Sequence, residues 1–422
     1  MVNFIISRTF FSFLLIFAFY LHSEDQSDAD SFFGREAPVY PSSDHLIGWI
    51  DSRQIQSLNG EWSYIVDPMN NGLPETSFFG GFPKNKIQKT GMELIEYNFE
   101  TASTIQIPGA WNALDERLFF YRGPVWLYKK FNYSPKKEAL THLYIEGSNF
   151  TTKVFLNGSI VGEFEGGYVP FNFNISKYLK EGENILLVQT DNTLSESSVP
   201  TQKTDWWPWG GIVGDVYVVE TPKQFIQNAY LQLNPDDFSA VLFKLEMNKE
   251  SSGHVIKLEI PELQFKAEYK TNSLGAISEN IKINPQLWSP LIPKLYEVKI
   301  SSEAETISDK IGFRSIQTKG QKIYLNNSEI QFKGIAMHSE PIGIPGPAFS
   351  KEHFQKLLLT AKDLNINFIR AAHYPYTRHL AKVADQLGLM LWEEVPVYWN
   401  IDWDNSNTLN IAKNQITRLV QR

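Results

Sequence analysis

The chain has no cysteine anywhere in its 422 residues, which excludes disulfides, thiolate metal sites, a cysteine nucleophile and a lipid anchor on cysteine. It has no surplus of positive charge either: 39 Lys and Arg stand against 47 Asp and Glu, a formal net charge of −8. Without a basic stripe there is nothing to release counterions from a polyanion, so nucleic acid is not an expected partner. No glycine-rich phosphate loop follows a strand, no G-x-S-x-G elbow offers a serine nucleophile, and no His-x-x-Glu-His type pattern offers metal ligands. Neither a cofactor nor a metal is expected. The apolar run from Phe10 to Leu21 falls short of the about 20 residues that cross a bilayer.

That run, preceded by Arg8 and followed by an acidic polar segment, has the layout of a secretory signal peptide over residues 1–23, with a polar linker over 24–45. It implies a secreted or periplasmic protein with no stable membrane span after cleavage. An exported chain without cysteine must be stabilised by its cores. With 42% apolar residues, including 11 Trp, 18 Tyr and 29 Phe, it can build large ones. Length suggests two to three domains. So many aromatic faces also suit an apolar or sugar-like ligand.

Residues 46–222 read as short strands between turns, with Asn157-Gly158 marking a hairpin, and predict an all-β sandwich. Residues 223–318 restart after Thr221-Pro222 with strands such as AVLFKLEMN and HVIKLEIP, and predict a second, immunoglobulin-like sandwich. From 319 to 422 the pattern changes. QKIYLNNSEIQFKGIAMHSE is strand-like, SKEHFQKLLLTAKDLN is an amphipathic helix capped by Ser350, and INFIRAAHY is an apolar strand. TRHLAKVADQLG is a second helix, LMLWEEVP a third strand and NTLNIAKNQITRLVQR a third helix. Strand and helix alternate, so this is βαβ construction on a parallel sheet, about three units of the eight in a (β/α)8 TIM barrel.

In such architectures chemistry sits at the C-terminal ends of the strands. Here His338, Ser339 and Glu340 follow the first strand, Arg370, His373 and Tyr374 close the second, and Glu393 and Glu394 close the third. One such cluster is what any solvated strand end gives. Three in succession predict a polar bowl of donors and carboxylates, suited to a polyhydroxylated substrate. Neighbours on a strand point to opposite faces, so only one of the two glutamates lines the bowl, Glu394 by this reading, and the two are not a catalytic pair. Tyr374 and Pro375 read as shaping the turn into the next helix. In TDWWPWGGIVG, residues 204–214, three tryptophans around a proline predict a packed corner of the first sandwich. The alternative is that Asp205 and the aromatic corner project toward a neighbouring domain's site, with Gly210-Gly211 allowing the tight backbone turn this requires.

The stretches NFIRAAHYPY through LMLW, KGIAMHSE, DWWPWGGI, LNGEW (58–62), IPGAW (107–111) and YRGPVWLYKKF (121–131) together resemble glycoside hydrolase family 2, the β-galactosidase and β-glucuronidase group. The resemblance covers everything after the linker. It implies a multidomain β plus α/β protein: a jelly-roll sugar-binding-like domain over 46–222, the immunoglobulin-like β-sandwich, and the N-terminal part of a TIM-barrel catalytic domain. It implies a retaining exo-β-glycosidase acting on a β-galactoside or β-glucuronide type of carbohydrate. In that chemistry one glutamate protonates the leaving oxygen and a second forms a covalent glycosyl intermediate. Carried over by position, Asp205, His338, Arg370, His373 and Glu394 surround the terminal sugar. The family's acid/base glutamate follows an Asn at the end of the fourth strand and its nucleophile comes later, so neither is expected within the 422 residues. The chain by itself is then inactive, with an open sheet edge. The alternative is a non-catalytic carbohydrate-binding protein with a vestigial barrel; a homo-oligomer is compatible with both.

Overall fold

Alternating apolar and polar residues fold the first domain into two facing antiparallel sheets. The computed structural model describes residues 38–76, 81–84, 98–250 and 252–422; the expected signal peptide and most of the linker lie outside them. One sheet has the order Gln54–Ser57, Val216–Pro222, Ala139–Ile145, Phe171–Asn174. The other runs Thr104–Ile107, Gly60–Val66, Pro124–Tyr133, Gly182–Asp191, Thr151–Leu156, Ser159–Glu165. Their inward residues, Trp62, Leu127, Leu143, Val154, Phe171 and Val188 among them, form one core, each large side chain stabilising the fold by about 1.5–3 kcal/mol on burial. Asn157 (φ 52°) and Gly158 (φ 83°) are both left-handed, the type I′ arrangement that joins two twisted strands. Leu156 pairs with Ser159 across that turn.

Among the described residues the second domain is a seven-stranded sandwich. Ile226–Leu233, Ala240–Met247 and Ala276–Lys282 make one sheet, and Phe265–Lys270, Val255–Ile260, Tyr296–Ser301 and Thr306–Ile311 the other. Val241, Phe243, Leu258, Val298 and Ile300 fill the space between them.

A small antiparallel sheet, Ile316–Lys319, Lys322–Leu325 and Ser328–Glu329, comes next, so the strand-like stretch from Gln321 is divided rather than continuous. The first barrel strand is only Gly334–Met337. It lies parallel to Phe368–Ala371, which lies parallel to Met390–Glu393. The barrel helices are Lys351–Asp363, Arg378–Leu387 and Ser406–Gln421. The Ser350 hydroxyl accepts the His353 N–H at 3.2 Å, the expected cap. Phe354, Leu358, Ile369, Leu380 and Val383 share a core with Tyr168, Trp206, Trp209 and Val213 of the first sandwich, so the barrel units and that domain are packed as one body. Ile335 and Trp392, on the outer strands, stay exposed. The third helix is fastened to the first sandwich by Gln415, which donates to the carbonyls of Gly166 and Val199 at 2.8 and 2.7 Å. Among the described residues no helix is long and apolar enough to cross a membrane.

Candidate functional site

Arg370 lies on the second barrel strand between Ile369 and Ala371, both fully buried, and strand alternation turns it the other way. Its Nε donates to Glu394 Oε1 at 2.5 Å and its Nη2 to Oε2 at 3.3 Å, a forked contact between the ends of the second and third strands. His373 Nδ1 lies 3.1 Å from the same Oε2. Burial alone would raise the Glu394 carboxyl, but hydrogen bonds and charge from Arg370 and His373 prevail and hold it below its ordinary value. Glu394 is therefore an anion at neutral pH. Glu393 points to the opposite face and pairs with Arg422.

The other wall comes from two domains. Tyr398, just after the third strand, donates its hydroxyl to Asp205 Oδ2 at 2.6 Å and stacks its ring on His373, with centroids 4.6 Å apart. Trp206 brings its ring to 5.8 Å from His373, 6.4 Å from His338 and 5.4 Å from Tyr398. His338 meets His373 edge-on at 5.5 Å. Burial lowers the His338 imidazole, with Glu340 opposing and His373 adding to the effect, so it is neutral at pH 7. Its Nδ1 is buried with no hydrogen-bond partner among the described residues.

Asp205, His338, Arg370, His373 and Glu394 are thus brought to one place, with Tyr398 and Trp206 linking them. Tyr398 was not singled out from the sequence, and Trp206 only as part of the aromatic corner beside Asp205. Trp206 is one of three tryptophans whose directions depend on the loop path, and Tyr398 lies in an aperiodic loop, its only signal being that it follows a strand end. Tyr374 does more than shape the turn into the next helix. It is buried and stacks on Tyr168 of the first sandwich at 4.5 Å, so it joins two domains as well as leading into the helix.

The 204–211 loop reaches the barrel because its glycines have nothing to clash. A Cβ on Gly210 would lie 2.1 Å from the Trp111 ring, and Gly211 has φ 120°, so one allows close approach and the other the turn. Trp209 Nε1 then donates to Glu340 of the barrel at 3.2 Å.

The chemistry open to this bowl is recognition. It offers a guanidinium, imidazoles, a phenol and carboxylates for hydroxyl groups and developing charge. A general acid at neutral pH needs a raised carboxyl, and that of Glu394 is lowered. Elsewhere Glu146, Asp215 and His379 place ligand atoms within 4.8 Å of one another. The Arg378 guanidinium already stands among them, paired with Glu146 and 3.5 Å from Asp215, so a side-chain cation supplies the positive charge there.

Comparison with known proteins follows the same division. The model for "Glycosyl hydrolases family 2, sugar binding domain" matches residues 120–222, that for "Glycosyl hydrolases family 2" matches 224–314, and that for "Glycosyl hydrolases family 2, TIM barrel domain" matches 316–418. A Formosa agariphila protein provisionally named a β-glucuronidase is 28% identical over 393 residues, covering 88% of this chain and 44% of its own length. A β-galactosidase of Thermoanaerobacterium thermosulfurigenes is 26% identical over 396 residues, covering 88% and 52%. Among solved structures, a β-glucuronidase of an uncultured Clostridium sp. superposes with a TM-score of 0.74 at 24% identity, over 92% of this chain and 66% of that one; at this identity the likeness is one of fold. The chain spans about half the length of the curated relatives it matches.

Proposed function

Because the chain belongs to glycoside hydrolase family 2, we propose that it supplies the sugar-holding wall of an exported, retaining exo-β-glycosidase that removes terminal β-linked galactose or glucuronic acid. The observation that carries this reading is the joining of Arg370, His373 and Glu394 on the barrel to Asp205 on the sandwich through Tyr398. The names of its relatives, β-glucuronidases and β-galactosidases, supply the sugar classes. In this reading the acid/base and the nucleophile both lie outside the 422 residues. Glu394 is held as an anion by its partners, and Glu393 is turned away to Arg422. A general acid/base alone contributes about 10²- to 10⁴-fold, and loss of the nucleophile removes the covalent route as well.

The test is an assay of the 422-residue chain and of the full-length gene product on a panel of aryl β-glycosides. The full-length product is expected to hydrolyse the β-glucuronide or the β-galactoside with retention, and the 422-residue chain neither. Turnover by the 422 residues alone, or a full-length product inert on both substrates, would contradict the proposal. The alternative, a carbohydrate-binding protein without catalysis, draws support from Glu394 and Asp205 both being engaged by neighbours. It predicts sugar affinity without turnover in the full-length product.

A further inference from the structure

Asp205 and Trp206 belong to the sandwich, yet the rings and charges they meet belong to the barrel units. Beyond Asp205 the loop runs Trp-Trp-Pro-Trp-Gly-Gly, so no side-chain carboxylate or amide of its own anchors that segment. The anchors come from elsewhere. Asn192 Nδ2 donates to the Pro208 carbonyl at 2.8 Å, Asn149 Nδ2 to the Trp209 carbonyl at 2.6 Å, and Asn112 Oδ1 accepts the Gly210 N–H at 2.8 Å. Three successive residues each give one backbone group to a different carboxamide, and the three asparagines sit on three separate segments.

Each carboxamide is nearly inaccessible, at 2% exposure for Asn112 and Asn192 and 4% for Asn149. Two of them are tied down at the other end as well. Asn192 Oδ1 accepts the Gly123 N–H at 3.0 Å, and Asn112 Nδ2 donates to the carbonyls of Leu118 and Tyr121 at 2.9 and 3.0 Å. Burying a carboxamide is unfavourable unless its hydrogen bonds are made, and here those bonds converge on one loop. The crevice lined by Asn149, Asn192, Trp206 and Trp209 is about 10 Å³, room for no more than one water.

We propose that Asn112, Asn149 and Asn192 are positioning residues that hold the loop where Asp205 meets Tyr398 and Trp206 meets His373. The inference rests on the sugar-site reading above. None of the three asparagines hydrogen-bonds Asp205, His338, Arg370, His373 or Glu394; they act through the backbone of residues 208–210. Displacements near 1 Å cost up to about 100-fold in rate.

The test uses the full-length gene product carrying Asn192→Ala or Asn149→Ala, with Asn184→Ala as control. Asn184 is as deeply buried and serves the carbonyls of Lys180 and Gly182, in a loop with no sugar-facing residue. Melting temperature, kcat and KM are measured for each. The expected result is a fall of about tenfold or more in kcat/KM for N192A and N149A. N184A should lose stability while its folded fraction keeps the wild-type kcat/KM. Adding N192A to Asp205→Ala should cost less than N192A alone, because the group being positioned is gone. Values of kcat/KM no lower than that of N184A, or full additivity with D205A, would overturn the inference. A wild-type product with no glycosidase activity overturns the proposed function itself and this inference with it.

Discussion

Glu394 illustrates how opposing effects decide one side chain. Burial pushes its carboxyl up, while Arg370 and His373 bring it below the ordinary 4.5. Because the folded value is depressed, the stabilisation from this contact is present above the unfolded pKa and is lost as pH falls through the folded one. Arg370→Gln removes the largest lowering partner and leaves only His373 against burial, so the carboxyl should titrate at a higher pH than in the wild type. The carboxyl ¹³C shift of Glu394 in glutamate-labelled protein checks this; a titration unchanged from wild type would show that Arg370 does not set it. Arg370, His373 and Glu394 were legible in the sequence because strand ends in parallel sheets are where ionisable groups converge. Tyr398 was not, and Trp206 only as part of an aromatic corner, since ring directions in a loop follow from tertiary packing rather than from any period.

At the scale of elements, the second barrel helix is placed by its first residue. The Arg378 N–H donates to Glu146 at 2.7 Å, and the guanidinium reaches Asp51 at 2.8 Å as well as Glu146 and Asp215. Glu146, on the first sandwich, is 1% exposed. Arg378→Met should leave it without a counter-charge and destabilise the protein by about 3–5 kcal/mol, the range for breaking a buried ion pair. Urea denaturation reads this directly, and an unshifted midpoint would mean that the cluster contributes nothing. No local pattern announces the pairing, because 232 residues separate the partners. The strands Phe265–Lys270 and Ala276–Lys282 escaped for a different reason. FKAEYK alternates strictly, so its strand was open to the same reading and was passed over for its charge, whereas AISENIK carries three exposed residues in a row and its apolar signal is weak. Strands with strong alternation, such as Ala240–Met247, and the helices with caps could be read directly.

At the scale of the molecule, the step into the barrel units followed from a change of hydrophobic period along the chain, and the step between the two sandwiches from the restart after Thr221-Pro222. Their mutual placement did not, because it depends on contacts such as Tyr168 on Tyr374 and Gln415 on Gly166, which no sequence period encodes. That placement is what makes the candidate site, since Asp205 on the sandwich meets Tyr398 and Trp206 meets His373 across the domain boundary. The most direct test of a sugar site shared between two domains is kcat/KM of the full-length gene product carrying Asp205→Ala, on whichever aryl β-glycoside the wild type prefers. Asp205 is exposed and outside every core, so the melting temperature should stay at the wild-type value. The account predicts a fall in kcat/KM of roughly 100-fold; a value within about twofold of wild type, too small to be a lost hydrogen bond, would contradict it.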